Sequence, residues 1–78
     1  MPTVLRIDGY RFFFFSDEHL PKHIHIEKAE SYLRIDLEKM EVTDSYKLSS
    51  REVRKLLVLT QEHRTELLGA WDEYFGEN

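Results

Sequence analysis

The sequence predicts an α+β fold: a small antiparallel sheet of four or five strands, followed by a long C-terminal helix packed on one face of the sheet. Two observations predict it. Before residue 49 the apolar residues alternate with polar ones or form short aromatic blocks, whereas after it they recur three and four positions apart. A chain of 78 residues suits a single domain. We therefore expect one domain over 1–78, with a β-sheet part over 1–48 and a helical part over 49–76.

The composition restricts the function classes. The chain carries 11 Lys and Arg against 15 Asp and Glu, a net charge of −4, and no cysteine. This charge excludes a strongly basic protein that binds nucleic acid through phosphate contacts alone, and the lack of cysteine excludes disulfides and thiol chemistry. No apolar run can span a membrane and the first residues do not resemble a signal peptide, so we expect a cytoplasmic protein that binds no membrane. A core this small contributes only about 3–5 kcal/mol of stability, which favours pairing with a partner or a second copy.

The first two strands are predicted over residues 3–7 and 10–15. Asp8 and Gly9 lie between them, and this pair is a strong signal for a two-residue hairpin turn because both residues tolerate a positive φ. The second strand has aromatic side chains on both faces, so we expect it inside the sheet or covered on both sides.

Residues 23–28 and 32–37 are the clearest strands, because their apolar residues alternate with polar ones. In the strand over 23–28, the two isoleucines share one face, and the two histidines share the other face with a glutamate. Pairing the apolar faces of the two strands also brings their polar faces together. Residues 40–46 are ambiguous, and they form either a weak edge strand or a loop.

A helix is predicted to begin after Ser49, because Ser49 and Glu52 form the Ser-x-x-Glu pattern of a capping box. One straight helix over 50–75 is about 39 Å long, whereas a six-residue strand spans about 20 Å. Residues 61–66 are all polar. We therefore expect the helix either to bend near Thr60 or to extend past the sheet and pack its end on another chain.

A cluster of histidines is the first candidate site. His23 and His25 are two positions apart on a strand, so their imidazoles project from one face about 6–7 Å apart. Together with His19 and Glu27, or with Asp36 in place of Glu27, they form a candidate site for zinc or nickel. Binding there weakens below about pH 6 as the imidazoles are protonated. A second interpretation is an RNase-like phosphodiesterase, in which His23 and His25 act as general base and acid. Arg34, Arg51 or Lys55 then neutralises the phosphate. The remaining alternative is a solvent-exposed strand face that is rich in histidine.

Basic and hydroxyl side chains at the start of the helix form the second candidate site. Backbone N–H groups and the positive end of the helix dipole favour anions there, whereas cations at that end do not stabilise the helix. This arrangement indicates binding of phosphate or nucleic acid, and the alternative is a solvated face whose cations pair with acids of the sheet. The predicted phosphate-binding residues are Ser50, Arg51, Arg54 and Lys55.

Apolar side chains in the last part of the helix form the third candidate site. They lie on one stripe that contains three aromatic residues, which is typical of a core or of a surface that binds another protein. The predicted partner interface consists of Leu67, Leu68, Trp71, Tyr74 and Phe75.

Several motifs resemble one prokaryotic family. They are the opening residues 2–14, the His-Ile-His-Ile-Glu strand with His19 and Pro21 before it, residues 48–53, and the closing segment over 71–75. Over nearly its whole length the chain is similar to the family called domain of unknown function 4160. The resemblance implies a partner, because genes of this family often lie beside genes of the domain of unknown function 2442 family, in pairs that look like toxin–antitoxin modules. We therefore expect a small interaction protein, one component of such a module or of another two-gene regulatory module.

The phenylalanines of the second strand predict how the second face of the sheet is covered. One set packs under the helix with the apolar residues of the other strands, and the other set falls on the histidine face. Exposed apolar surface costs about 25 cal/mol per Å². We therefore expect that face to be covered by the loop over 16–22, by a bent helix or by a second subunit, so that the histidines line a partly buried groove.

Overall fold

The computed structural model describes residues 3–76, which form a five-stranded antiparallel sheet followed by two helices. The strands lie side by side in chain order, which confirms the α+β class and makes the ambiguous segment the fifth strand. Residue 2 of the opening motif lies outside the described residues. Neither helix within residues 3–76 is long and apolar enough to cross a membrane. The elements are β1 (Thr3–Ile7), β2 (Tyr10–Phe13), β3 (His23–Lys28), β4 (Ser31–Asp36), β5 (Glu41–Tyr46), α1 (Ser50–Glu62) and α2 (Arg64–Phe75).

A tight hairpin connects β1 and β2. Asp8 and Gly9 both have a positive φ, 53° and 84°, as in the type I′ turn that matches the twist of a hairpin, so the predicted turn is confirmed. β2 ends at Phe13, two residues earlier than predicted, because the chain leaves the sheet there. Phe14 turns into the core instead, where its ring meets Trp71 edge to face at 5.4 Å.

The core lies between the helices and one face of the sheet. Alternate residues of the central strands point to this face, so the predicted apolar sets of β3 and β4 pack together as expected. Burying each side chain of this size contributes about 1.5–3 kcal/mol. The most deeply buried members of the core are Phe12, Phe14, Ile24, Ile26, Leu33, Ile35, Leu37, Leu56 and Leu67.

The C-terminal segment is two helices, which corrects the expectation of one long helix. α1 begins with the predicted capping box, in which Ser49 and Glu52 each accept a hydrogen bond from the backbone of the other. The break falls at His63, three residues after the bend expected near Thr60. One straight helix over 50–75 is about 39 Å long, whereas the longest dimension of the molecule is 34 Å.

Two hydrogen bonds flank this break. The Thr60 hydroxyl donates to the Leu56 carbonyl at 2.7 Å, a contact that bends helices. Arg64 Nε donates to the Leu37 carbonyl at 2.8 Å and ties the start of α2 to the end of β4. The second helix therefore turns back along the sheet instead of extending past it.

The segment over 15–22 covers the opposite face of the sheet. Phe13 and His25 on that face are 2% and 3% exposed, whereas Phe15 at the edge of the cover is 41% exposed. Trp71 of α2 also reaches this region, with its ring centroid 5.2 Å from that of His23. The loop and the second helix both contribute to the covering, so the histidines lie in a partly buried groove, as predicted.

Candidate functional site

β3 and the loop over 14–22 together build the candidate site. His23 and His25 project from one face of β3, because alternate strand residues do, and their ring centroids are 5.0 Å apart. The loop returns over this face and places Glu18 against both rings. The Phe15 backbone N–H donates to Glu18 Oε2 at 2.8 Å, which holds the carboxylate in the turn. Two elements thus bring three side chains of metal-ligand type together.

Glu18 bridges the two histidines. Its Oε1 lies 2.8 Å from His23 Nε2, and its Oε2 lies 2.6 Å from His25 Nε2. The ligand atoms of the three residues all lie within 4.8 Å of one another. The side chains of Glu18, His23 and His25 are 8%, 14% and 4% exposed, so the cluster is largely dehydrated and His23 is its most accessible member.

The outer nitrogen of each ring is also hydrogen-bonded. His23 Nδ1 lies 2.8 Å from the Pro21 carbonyl oxygen, and His25 Nδ1 lies 2.7 Å from the Tyr32 hydroxyl. A carbonyl only accepts, so His23 Nδ1 carries a hydrogen. An ionised Glu18 also only accepts, so His25 Nε2 carries a hydrogen and Tyr32 donates to His25 Nδ1.

Burial and hydrogen bonds set the charges in the cluster. Burial alone raises the pKa of Glu18, but the Phe15 N–H and the neighbouring His25 and His23 outweigh it, so the pKa of Glu18 lies below its ordinary value. Burial lowers the pKa of His25, and the attraction of Glu18 offsets only part of this effect. An ionised carboxylate and a neutral imidazole are the forms in which these side chains bind metals.

Aromatic rings hold His25 in place. Phe13 and Tyr32 stack on its imidazole at centroid distances of 5.4 Å and 5.9 Å, and Phe15 meets it edge-on at 4.5 Å. These contacts restrict the ring to one orientation, with Nε2 toward Glu18. An apolar shell of this kind limits water access to a site and strengthens its electrostatic interactions.

A cavity of about 420 Å³ opens beside the cluster. β4 contributes Arg34, whose Nε donates to Thr43 Oγ1 at 2.8 Å. It also contributes Asp36, whose Oδ1 accepts from the backbone N–H groups of Glu38 and Lys39. Among residues 3–76 the Arg34 guanidinium forms no ion pair. The cavity is also lined by Glu18, His19, Leu20, Pro21 and His23.

The comparison with protein families identifies the chain. A family model described as Domain of unknown function (DUF4160) matches residues 9–72, more than half of the chain. The chain belongs to this family. The resemblance noted in the sequence is therefore confirmed, and the matched range contains the whole histidine cluster. No curated protein and no solved structure matches the chain significantly. The partner from a neighbouring gene stays a prediction.

The metal-ligand set that the structure brings together differs from the predicted one. The two strand histidines are adjacent as expected, but His19 is exposed and lines the cavity outside the cluster. Glu27 lies on the same face of β3 but pairs with Arg11 at 2.7 Å. Glu18 takes the place that the sequence assigned to Glu27, because the loop reaches the rings and the strand glutamate faces a cation of β2.

The predicted catalytic residues are only partly brought together. His23 and Arg34 line the same cavity, but His25 is 3% exposed and does not line it. A general base and a general acid must both come within hydrogen-bond reach of the substrate. The use of both histidines as an acid–base pair therefore stays a prediction that this geometry does not support.

The predicted phosphate-binding residues at the start of α1 do not all lie at one site. Ser50 and Arg54 line a cavity of about 370 Å³ between β5 and α1. Lys55 instead lies 3.5 Å from an Asp8 carboxylate oxygen, and Arg51 is exposed. Only two of the four therefore share one cavity, and phosphate binding there stays a prediction.

The predicted partner interface is largely part of the core of the chain. Leu67 and Trp71 are 0% and 3% exposed, and Leu68 and Phe75 are half-buried. Tyr74, at 48% exposed, is the member that presents a large free surface. The aromatic stripe thus serves mainly to pack α2, which was the alternative to a partner surface.

Glu18 is the site residue that the sequence did not single out. It lies in a polar loop that was expected only to cover the histidine face. Buried imidazole N–H groups need acceptors. The two acids of the covering loop, Asp17 and Glu18, were therefore recognisable as candidate acceptors. The choice between these two neighbouring acids depends on the loop conformation, which the residue pattern does not specify.

Proposed function

We propose that this protein binds a divalent metal ion, with zinc as the best fit, through Glu18, His23 and His25. The supporting observation is that one carboxylate and two imidazoles present their ligand atoms within 4.8 Å of one another in a nearly buried cluster. Imidazole nitrogen and carboxylate oxygen are the ligands of three-residue zinc sites, which keep a fourth position for water or another ligand.

Only a small rearrangement separates this cluster from a zinc site. Bonds of about 2.1 Å in a tetrahedral site place the ligand atoms about 3.4 Å apart. No pair of ligand atoms in the cluster is more than 4.8 Å apart, so the required approach is at most about 1.4 Å. The two contacts of Glu18 with the rings, at 2.6 Å and 2.8 Å, must lengthen by about 0.6–0.8 Å. Glu18 lies in a loop and can move, while β3 holds the two histidines in place.

The outer hydrogen bonds suit metal binding as well. A histidine that binds an ion through Nε2 usually donates its other N–H to a carbonyl, a carboxylate or water. The Pro21 carbonyl already accepts from His23 Nδ1. The Tyr32 oxygen can accept from His25 Nδ1 once the ring hydrogen moves from Nε2 to Nδ1. The ion then lies where Glu18 now contacts the two Nε2 atoms.

Competition titration of zinc against a chromophoric chelator tests this proposal. We expect one zinc per wild-type chain, and affinity at least about tenfold lower in Glu18→Gln and in His23→Gln, because each loses a ligand. Matched controls are His19→Gln and Glu27→Gln, which remove the same residue types outside the cluster and should bind zinc as the wild type does.

Two outcomes contradict the proposed site. Equal affinity in the wild type and both cluster variants shows that zinc does not bind there. A loss of affinity in the controls instead supports the ligand set predicted from the sequence. Circular dichroism of each variant without metal separates a lost ligand from a lost fold.

A second candidate function is binding of a partner protein, and β5 favours it. All six residues of this strand are exposed, including Val42 and Tyr46, and within residues 3–76 no strand pairs with its outer edge. An exposed strand edge is a template for an added strand. We propose that the small protein of the neighbouring gene adds a strand there, and that this strand is basic because Glu41 and Asp44 make the edge acidic.

Size-exclusion chromatography of the two purified proteins tests this second proposal. We expect a complex with the wild type and none with a Val42→Lys/Tyr46→Lys double variant, because lysines on the edge repel a basic strand. Val58→Lys is the matched control, because Val58 is 53% exposed and belongs to α1 rather than to β5, and it should leave the complex intact. No complex with the wild type, or the same complex with the double variant, contradicts the proposal.

A further inference from the structure

We propose that the cavity beside the cluster binds the phosphate group of a small phosphate monoester, with one oxygen on the metal ion and others on the Arg34 guanidinium. This inference rests on the proposed metal site and adds the chemical class of its ligand. The cavity, of about 420 Å³, falls within the range of small-molecule sites, roughly 300–1,000 Å³.

The open side of the metal site faces this cavity. Glu18 and His23 are shared between the cluster and the cavity lining, whereas His25 lies beneath them and does not reach it. Three protein ligands leave a fourth position on a tetrahedral ion. A second cavity of about 320 Å³ is also lined by Glu18, but not by His23 or Arg34. The cavity that Glu18 and His23 both line is therefore the side from which an external ligand reaches that position next to Arg34.

Arg34 is positioned to bind an anion beside the metal. It pairs with His25 across β3 and β4, which places their Cβ atoms about 5 Å apart. Its Nε is anchored by Thr43 at 2.8 Å, so the terminal nitrogens of the guanidinium are held rather than free to rotate. Arg11 on the same face has a carboxylate partner in Glu27, but Arg34 has none among residues 3–76. An anchored guanidinium without an ion pair suits recognition of a phosphate by two parallel hydrogen bonds.

The charges make anion binding depend on the metal. Apart from the histidines, the charged side chains that line the cavity are Glu18, Asp36 and Arg34, two carboxylates against one guanidinium. A divalent ion held by Glu18, His23 and His25 adds two positive charges beside them. Asp36 repels the anion only weakly, because two backbone N–H groups bind its Oδ1. The metal-loaded protein is therefore the form that attracts phosphate.

The shape of the ligand favours a phosphate over a planar carboxylate. A tetrahedral phosphate monoester has three charged or hydrogen-bonding oxygens, so one can bind the ion while two face the guanidinium. At the mouth of the cavity, Leu20 is 61% exposed and lies beside Pro21. These apolar side chains provide a surface for the organic part of a monoester.

Visible absorption of the cobalt(II)-loaded protein tests the inference, because the bands of cobalt respond to a new ligand. We expect phenyl phosphate to shift the bands with saturation, inorganic phosphate to do so more weakly, and benzoate to have less effect than either. Arg34→Gln should weaken phenyl phosphate binding by about 10- to 100-fold, as loss of hydrogen bonds from a charged group does. Arg34→Lys should restore part of the affinity. Arg6→Gln, the same change at an exposed position of β1, should have no effect.

The outcomes separate this inference from the metal site on which it rests. Absence of cobalt uptake by the wild type overturns both. Cobalt uptake at one per chain with no response to phenyl phosphate overturns only the phosphate inference. An unchanged phenyl phosphate affinity in Arg34→Gln, benzoate binding tighter than phenyl phosphate, or equal phosphate binding without metal overturns it as well. Arg34→Gln should bind cobalt at least as tightly as the wild type, which shows that the variant is folded.

Discussion

Replacing Tyr32 with phenylalanine removes one oxygen atom from the surroundings of the candidate metal site and leaves the ring in place. The Tyr32 hydroxyl lies 2.7 Å from His25 Nδ1, and the His25 side chain is only 4% exposed. The phenyl ring keeps its stacking on the imidazole, whose centroid lies 5.9 Å away. The substitution therefore isolates the outer hydrogen bond of His25 without opening a cavity.

The expected magnitude follows from the burial of His25. A buried nitrogen that loses its partner costs about 1–2 kcal/mol of unfolding free energy in the metal-free protein. For a domain of this size that loss lowers Tm by about 4–16 °C. In the zinc-bound protein His25 Nδ1 loses the acceptor that orients it, so zinc affinity should fall by about 10- to 100-fold.

Thermal unfolding in the presence of a chelator and zinc competition titration measure the two effects. Tyr46→Phe is the matched control, because Tyr46 lies opposite Tyr32 in the β4–β5 pairing and is 58% exposed. It should change stability by less than about 0.5 kcal/mol and leave zinc affinity unchanged. A Tyr32→Phe protein with wild-type Tm and wild-type zinc affinity refutes the reasoning, because the hydroxyl then neither satisfies nor orients His25.

Four other substitutions, one of which is a control, test local features of the fold. Ser49→Ala should lower the free energy of unfolding by about 1 kcal/mol in urea denaturation, because the hydroxyl accepts from the Glu52 N–H at 3.1 Å; an unchanged midpoint contradicts the capping box. Gly9→Ala should cost about 1–2 kcal/mol because residue 9 has a φ of 84°. Gly69→Ala is its control, because Gly69 lies in α2 and a Cβ there meets open space. This change should stabilise the protein by about 0.5–1 kcal/mol, and equal effects of the two changes rule out backbone strain at Gly9. Burial, and then Glu52, raise the pKa of the Tyr10 phenol in the folded protein. The phenol therefore ionises at lower pH in the unfolded chain, near pH 10, than in the folded protein, and the free energy of unfolding falls as the pH rises above that value. Tyr10→Phe should reduce that alkaline loss of Tm, and the same loss in both proteins contradicts the burial effect.

Local chemistry explains which parts of the fold the sequence predicts correctly. Asp8 and Gly9 determine the hairpin because few other pairs accept two positive φ angles. Ser49 caps α1 because its hydroxyl accepts from the Glu52 N–H and the Glu52 carboxylate accepts from the Ser49 N–H. Local chemistry does not determine the position of the helix break in this way. The polar run over 61–66 contains several residues of similar helix propensity, so the local pattern does not favour one of them as the break. The break at His63 precedes Arg64, whose contact with the sheet cannot be read from the local pattern.

The candidate site was likewise predicted only in part. Strand alternation alone places His23 and His25 on one face, and that prediction is correct. The same alternation also places Glu27 on that face, but it does not show that a cation of β2 pairs with it. Glu18 was missed because its position depends on the path of the chain after β2, where Phe14 enters the core and the loop folds back over the histidines.

Nitrogen-15 NMR of the histidine side chains during zinc addition tests the metal site most directly, because it resolves each ring nitrogen of each histidine. One equivalent of zinc should shift the Nε2 resonances of His23 and His25, and in the zinc-bound protein both Nδ1 atoms should carry a hydrogen, while His19 and His63 remain unchanged. Zinc that shifts His19 or His63 instead, that binds through Nδ1, or that leaves all four rings unchanged contradicts a metal site built from Glu18, His23 and His25.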